Sequence, residues 1–333
     1  MFTVDINGKK QIQVKKGQSL YEGLAAADVF IPSACGGRAI CGYCKVRVTK
    51  GGGQVSSAEL PFLTPGEISN NIRLSCQVKV TGDISIELPQ NLLAGRRYKC
   101  ICSDIEDLTA DIRRFKFDLV RPKIINYIPG QYVQLHTPVY FEGGQEVYRS
   151  YSIASDPADE SAIELIIRRV PNGICTTYCF EKLSVGDKVT MVGPCGDFHL
   201  SETDSPIVFI AGGSGMAPIR CILNHMRNAG SRRKTVYYFG ANKVSELFMV
   251  EQMKQLENDL EDFRFVPVVA AAEPKPTWNG LTGLVTDAVE NDLKNASDYE
   301  AYLCGSPGMI EASIKVLAKS GLHEDKIFYD SFA

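Results

Sequence analysis

An α+β protein of several domains is what this chain of 333 residues predicts, on three observations. Its first ninety residues alternate apolar and polar positions around a glycine-rich loop that carries three cysteines. From there to about Leu200 the chain is a series of short alternating strands separated by glycine and proline turns, the mark of an antiparallel barrel or sandwich. After Pro206 strand, turn and helix recur, the mark of an open parallel sheet flanked by helices. The seams divide the chain into segments 1–92, 93–202 and 203–333. An apolar content of 44% and a net charge of -3 fit soluble globular domains and give no reason to expect nucleic acid as a partner. No apolar run approaches the roughly 20 residues that span a bilayer, and the start Met-Phe-Thr-Val-Asp-Ile lacks the regions of a signal peptide. A cytoplasmic protein without an integral membrane segment is expected. Cys100, Cys102, Cys175, Cys179, Cys195 and Cys221 are scattered, and read as reduced thiols buried as small hydrophobes.

In the first segment, Phe2–Ile6 and Gln11–Val14 alternate as a hairpin around Asn7-Gly8, and Ser19–Ala27 reads as a short helix with Ser19 at its N-cap. Lys45–Val48 and Gly82–Leu88 are further strands. Between them lie Cys35, Cys41 and Cys44, with Cys76 in Arg73-Leu74-Ser75-Cys76-Gln77. The gaps are five, two and thirty-one residues. Four thiolates so spaced suit a [2Fe-2S] cluster, because Gly36, Gly37 and Gly42 let the backbone N–H groups approach the sulfurs. A zinc site or four unrelated core cysteines are the alternatives. Structural zinc usually takes two C-x2-C hairpins, whereas this chain offers one pair and two singles.

In the second segment Arg96-Arg97-Tyr98-Lys99 reads as a basic turn, and strands are expected at Phe115–Val120, Tyr132–Leu135, Ala162–Val170 and Asp187–Val192. Arg149, Tyr151 and Ser152, read as alternating along one strand, would present an arginine, an aromatic and a hydroxyl to a single planar, phosphorylated ligand such as a flavin. A half-buried strand with a surface arginine is the alternative. Pro129-Gly130-Gln131-Tyr132 lies upstream, and Gly173 with Thr176 and Thr177 opens a short helix downstream, where free N–H groups and the helix dipole favour a pyrophosphate. Gly193-Pro194-Cys195-Gly196-Asp197-Phe198 follows.

The third segment pairs strands with helices: Ile207–Ala211 with Ala217–Ala229, Thr235–Gly240 with Ser245–Leu256, Phe263–Val269 with Val285–Asn291, and Ala301–Cys304 with Met309–Lys319. Its first strand runs into Gly212-Gly213-Ser214-Gly215-Met216-Ala217-Pro218, a turn for glycines, with Pro218 near the start of the next helix. Gly240-Ala241 ends the second strand, Cys304-Gly305-Ser306-Pro307-Gly308-Met309 the fourth, and Phe332 is the penultimate residue.

The first ninety residues resemble the ferredoxin module of multi-domain reductases, which implies a β-grasp fold. The four motifs of the second segment, in their order, resemble the FAD domain of the ferredoxin-NADP reductase superfamily, which implies Arg149, Tyr151, Ser152, Gly173, Thr176 and Thr177 as FAD contacts. The turn through Gly212, Gly213, Gly215 and Pro218 matches the superfamily's nicotinamide-dinucleotide turn, with Gly240 beyond it. The resemblance also puts Cys304 beside the carbon that gives up hydride and Phe332 over the flavin until nicotinamide displaces it, so Ser152, Cys304 and Phe332 are the catalytic candidates. In motif spacing the whole chain is similar to the soluble part of the F subunits of the Na+-translocating NADH:quinone oxidoreductases, including Trp278-Asn279-Gly280-Leu281-Thr282-Gly283. An N-terminal membrane helix like theirs is not expected, the chain is shorter between His136 and Tyr148, has Asn242 where arginine is usual, and carries Ser306 and Ser331 in place of the usual motif residues. A soluble cousin, akin also to oxygenase reductase components, is expected.

A nicotinamide delivers two electrons as hydride and an iron–sulfur centre accepts one, with flavin as the converter. The expected activity is an NADH-dependent oxidoreductase that uses FAD and a [2Fe-2S] cluster to pass single electrons to a partner protein docking near the cluster domain. An electron-input component of a larger quinone-reducing complex and a redox-sensing module are the alternatives. NADH is favoured over NADPH because Lys243 is the one basic residue just past Gly240, while Arg232, Arg233 and Lys234 precede the strand. His136, His199, His225 and His323 are isolated and read as solvated or core residues.

Overall fold

Alternation in the first segment builds a five-stranded sheet of order β2-β1-β5-β3-β4, in a computed structural model that describes residues 1–33, 35–89, 96–144, 146–271 and 278–332. Its strands are β1 (Phe2–Ile6), β2 (Lys10–Val14), β3 (Lys45–Lys50), β4 (Ile72–Leu74) and β5 (Ile84–Glu87). Asn7 and Gly8 both take positive φ, so the β1–β2 hairpin turns as its sequence demands. Helix α1 (Leu20–Ala26) starts at Ser19, whose hydroxyl accepts from the Glu22 amide while the Glu22 carboxylate accepts from the Ser19 amide. Leu20 and Leu24 pack with Val4, Ile6, Val46, Leu74 and Ile86 into one core. Each fully buried aliphatic side chain there contributes about 1.5–3 kcal/mol.

The second sheet has the order β10-β7-β6-β11-β8-β9, from β6 (Arg96–Asp107), β7 (Ile112–Arg121), β8 (Tyr132–Thr137), β9 (Val147–Ser152), β10 (Ala162–Arg168) and β11 (Lys188–Cys195). An antiparallel bridge between Ile153 and Leu165 joins the end of β9 to β10, so the two outer strands meet as a barrel requires. Arg96–Lys99, expected as a basic turn, instead begins β6: Tyr98 and Cys100 are buried at alternate positions, and period two outweighs the cluster of charge. Helix α3 (Ile174–Glu181) follows β10; α2 (Pro65–Ser69) lies earlier, before β4.

The third sheet is parallel, of order β15-β14-β13-β12-β16-β17, with β12 (Ile207–Gly212), β13 (Thr235–Ala241), β14 (Phe263–Val269), β15 (Leu281–Thr282), β16 (Glu300–Gly305) and β17 (Ile327–Ser331). One face packs Phe209, Tyr237 and Tyr302 against α4 (Met216–Asn228) and α5 (Val250–Asp259). The other packs Val208, Ile210 and Tyr238 against α6 (Val285–Asp292) and α7 (Pro307–Lys319). Burial on both faces is why these strands read as continuous apolar runs. The helix expected over Ser245–Leu256 begins only at Val250, because a 3-10 turn (Val244–Glu246) and a left-handed Met249 intervene. The edge strands β15 and β17 lie outside the expected strand–helix pairs. The expected seam near Leu88–Gly95 falls largely on residues outside the described ones.

By contacts the chain divides into two compact units, one of Met1–Lys99, Tyr132–Ser150 and Val189–Gly196, the other of Cys100–Gln131, Tyr151–Lys188 and Asp197–Ala333. Within the first, a buried ion pair fastens β4. The Arg73 guanidinium donates to both carboxylate oxygens of Glu59 at 2.9 and 2.8 Å and to the carbonyls of Gly52, Gly53 and Gln54, while Glu59 also accepts from the Leu74 amide. Burial pushes the Glu59 carboxyl up, and bonds from Arg73 and the amides of Ser56 and Leu74 outweigh it, leaving Glu59 below its ordinary value. Arg73→Ala, which strands a buried carboxylate, is expected to cost about 3–5 kcal/mol, read from urea unfolding followed by loss of cluster absorbance. The double change Arg73→Met with Glu59→Leu should recover most of that; a single variant as stable as wild type would contradict the assignment.

Candidate functional site

The loop between α1 and β3, together with Cys76 just past β4, brings the four predicted thiols into two pairs. Cys41 Sγ lies 3.3 Å from Cys35 Sγ, and Cys44 Sγ lies 3.3 Å from Cys76 Sγ. Among the described residues no three His, Cys, Asp or Glu side chains converge as a single-ion site. Two close pairs fit two irons with two thiolates each and do not fit one tetrahedral zinc, which draws four ligands to one point. Donors already face the sulfurs: the Arg38 amide lies 3.2 Å from Cys35 Sγ and the Gln77 side-chain amide 3.6 Å from Cys76 Sγ. In each pair one thiol is held low and its partner high. The Cys41 thiol, with the amides of Ile40 and Arg38, pulls Cys35 down, while its bond to Cys35 and burial push Cys41 up. Cys76 is lowered chiefly by the Cys44 thiol, and Cys44 is raised by that bond and by burial. These residues fit the cluster.

Strand β9 carries the expected flavin residues, but not on one face. Period two puts Arg149 and Tyr151 on one side and Ser152 on the other, which corrects the expected alternation. Arg149 Nη1 donates to the Tyr148 carbonyl at 2.8 Å and lies against Gly36, where a Cβ would come within 2.1 Å of it. Gly36 has a φ of +65, so space and backbone both call for glycine. Ser152 is buried, with its hydroxyl 3.4 Å from a carboxylate oxygen of Asp330. At the start of α3, Gly173 is the N-cap, and the Thr176 hydroxyl closes the loop by donating to the carbonyls of Val170 and Gly173 and accepting from the Val170 amide. That hydroxyl is therefore committed to the turn, whereas Thr177 faces an open cleft with Arg168, Arg169 and Asn172.

At the carboxyl ends of the parallel strands lies a second cleft of about 370 Å³. Gly212, Gly213, Gly240, Asn242, Glu246 and Ser306 are among its lining residues. Gly215 sits against β16, where a Cβ would come within 2.2 Å of the Cys304 carbonyl oxygen. Pro218 is buried in the first turn of α4. Parallel register sets Cys304 beside Ala211 on one hand and Asp330 on the other. Cys304 is wholly buried; burial, and then the charge of Asp330, push its thiol well up, so it packs as a neutral group. The Phe332 amide donates to the Gly305 carbonyl at 2.9 Å, which tethers the half-buried C-terminal aromatic to the end of β16.

Two acidic residues beside these positions were not singled out by the sequence. Asp330 is one: burial pushes its carboxyl up to about 6, with the Ser152 hydroxyl pulling the other way. Glu246 is the other. Its carboxylate accepts from the Asn242 amide at 3.0 Å and side chain at 3.2 Å, placing negative charge just past the end of β13. Only an acidic residue amid a charged, helix-like stretch marked Glu246, and nothing in the pattern marked an edge strand at Asp330.

Three family models match in chain order: a 2Fe-2S iron-sulfur cluster binding domain over residues 4–81, an oxidoreductase FAD-binding domain over 99–200 and an oxidoreductase NAD-binding domain over 209–315. The fold and its three sites define an iron–sulfur flavoprotein oxidoreductase that uses a [2Fe-2S] cluster, FAD and NADH. The F subunit of the Na(+)-translocating NADH-quinone reductase of Neisseria meningitidis (strain FAM18) is 33% identical over 99% of this chain and 91% of its own length. The chain belongs to the family of these NADH-quinone reductase F subunits. The solved Amycolatopsis cytochrome P450 reductase GcoB is 28% identical, covers 100% of this chain and 99% of its own, and superposes with a TM-score of 0.79. A ferredoxin reductase in carbazole 1,9a-dioxygenase shares the fold at 23% identity, with a TM-score of 0.75 over 100% of this chain and 98% of its own. No helix among the described residues is long and apolar enough to cross a membrane.

The Asp330 carboxyl holds its proton up to about pH 6, against an ordinary aspartate value of 3.8. The native state therefore binds more protons than the unfolded chain between those values. The stability this group contributes is greatest below about pH 4 and is lost as pH rises through 6. Asp330→Asn should flatten that limb, so the stability difference between wild type and variant, from denaturant unfolding, should change between pH 4 and pH 7. A constant difference would contradict the assignment.

Proposed function

We propose that this protein oxidises NADH and hands the electrons on singly to a partner protein that docks beside the cluster loop. FAD, when bound, would supply hydride acceptance and a [2Fe-2S] centre one-electron transfer, so a chain holding both would convert a two-electron donor into one-electron outputs. The observation that carries the reading is the presence, in one chain, of two sulfur pairs suited to two irons and a parallel sheet ending in a glycine-lined dinucleotide cleft. The residues contribute position and electrostatics; the reaction needs no protein nucleophile.

In this reading Cys35, Cys41, Cys44 and Cys76 hold the cluster in a domain of residues 1–92. Arg149, Tyr151, Ser152, Gly173 and Thr177, with the Thr176 backbone amide, hold FAD in a domain of 93–202. Gly212, Gly213, Gly215, Pro218 and Gly240 seat NADH in a domain of 203–333, with Cys304 and Phe332 shaping the nicotinamide site. Ile40 and Tyr43 expose apolar side chains on the cluster loop, an anchor for the acceptor protein. The cysteines, most of them buried and none in a disulfide among the described residues, suit a reducing cytoplasm. A second reading, an electron-input component of a quinone-reducing complex, draws support from the whole-length similarity to the Na(+)-translocating reductase's F subunit. Salt-sensitive sedimentation of the protein with membranes would favour that reading.

The test is anaerobic mixing of the holoprotein with NADH, for wild type and Cys76→Ser. The variant should bleach its flavin at the wild-type rate but reduce cytochrome c, a one-electron acceptor, at least about tenfold more slowly. Equal loss of both would contradict the relay. NADH preference rests on Glu246, whose carboxylate would accept from a ribose hydroxyl and repel a 2'-phosphate. Arg233 cannot serve a 2'-phosphate, because its guanidinium is bonded to Glu300 at 2.9 Å and to the Ser205 carbonyl at 2.9 Å. Glu246→Gln should raise kcat/KM for NADPH by about tenfold relative to NADH; an unchanged ratio would remove Glu246 from the account.

A further inference from the structure

A serine hydroxyl on strand β9 bonds the backbone of the stretch leading into the first cluster cysteine, where the Phe30 and Tyr148 rings also lie 6.5 Å apart. Ser150 Oγ donates to the Ser33 carbonyl at 3.0 Å, across 117 residues of sequence. Ser33 is itself buried; its own hydroxyl accepts from the Gly37 amide at 3.0 Å and lies 3.8 Å from Cys35 Sγ. From Ser150 to a cluster sulfur there is thus one hydrogen bond, one residue and one contact. We propose that Ser150 is a positioning residue that sets the distance between the cluster loop and the flavin-binding strand, an inference that rests on the relay reading above.

The neighbouring contacts show why this bond is the specific one. The two chain segments approach closely: at Gly36 a Cβ would stand 2.1 Å from Arg149 Nη1 and 2.8 Å from the Tyr148 carbonyl oxygen. Nearby, Arg97 bonds Asp28 at 3.1 and 2.7 Å and the Tyr148 hydroxyl at 3.3 Å, with its guanidinium 5.5 Å from the Phe30 ring centroid. The Arg97–Asp28 pair is exposed and salt-screened, so it contributes little to precise placement. Gln134 reaches the Ile31 carbonyl only at 3.5 Å. Ser150, between the flavin residues Arg149 and Tyr151, bonds directly to the backbone two residues ahead of Cys35. Ser150 governs the transfer of one electron, in which NADH-reduced flavin is oxidised by one and the two-iron centre is reduced by one, with no bond made or broken at the serine. Transfer between fixed centres falls steeply with separation, and a small misplacement is costly.

The experiment mixes FAD- and cluster-loaded wild type, Ser150→Ala, Ser150→Thr and Ser150→Phe with NADH anaerobically, recording flavin bleaching and cluster reduction separately. Bleaching should stay within about twofold in all four, while cluster reduction slows about fivefold in Ser150→Ala, more in Ser150→Phe, and recovers in Ser150→Thr. Amides of residues 30–37 should exchange with deuterium faster in the alanine and phenylalanine variants, with cluster electron paramagnetic resonance signals unchanged. Wild-type cluster reduction in both Ser150→Ala and Ser150→Phe would overturn the proposal. Failure of the wild-type flavin to reduce the cluster would overturn the relay reading, and this inference with it.

Discussion

Two pairs of sulfurs, each 3.3 Å apart where a loop of glycines meets the end of β4, are the constraint on which the first unit is built. Thiolates crowded this closely repel, so the chain must supply N–H donors to them and bury them without losing those donors. That requirement accounts for the left-handed backbone at Gly36, Gly37 and Gly42 and for the Arg38 amide aimed at Cys35. It also accounts for rigid support nearby. Cys76 follows β4 directly, and β4 is fixed by the Arg73–Glu59 pair, whose five arginine bonds satisfy the guanidinium completely. A charge pair so fully bonded trades stability against hydrophobic alternatives for a defined geometry.

The second unit solves a different problem by register. Parallel pairing brings the ends of β12, β13, β16 and β17 to one edge, so Gly212, Gly305 and Ser331 end their strands and Gly240 is the penultimate residue of β13. Glycine there leaves the strand ends without side chains, the condition a dinucleotide cleft requires. The same register sets a neutral buried thiol, Cys304, beside a carboxyl, Asp330, whose proton is retained to about pH 6. A polar site with no strong nucleophile suits a reaction whose bond-making belongs to the cofactors.

Much of this was legible in the sequence because the chemistry is local. Cys35, Cys41 and Cys44 and the glycine turn after β12 each occupy a short stretch of chain, and both-face burial made the parallel strands continuous apolar runs. What escaped was long-range or unpatterned. Asp330 meets Ser152 across 178 residues, and β17, an edge strand, buries only Ile327 outright and so shows no apolar run. Glu246 lies in a stretch that reads as helix but turns back to cap Asn242. Arg96–Lys99 reads as a charged turn because its buried positions, Tyr98 and Cys100, are spaced by a basic residue. The partition of Thr176 and Thr177, one hydroxyl spent on the turn and one facing a cleft, depends on geometry that no composition reveals.

The central claim is that one chain collects electrons in pairs and releases them singly. Counting them tests it most directly. An anaerobic titration of the fully loaded protein with NADH should reach complete reduction at about 1.5 equivalents, two electrons for flavin and one for the cluster, with both absorbance bands changing. An end point at about one equivalent, with the cluster still oxidised, would contradict the account.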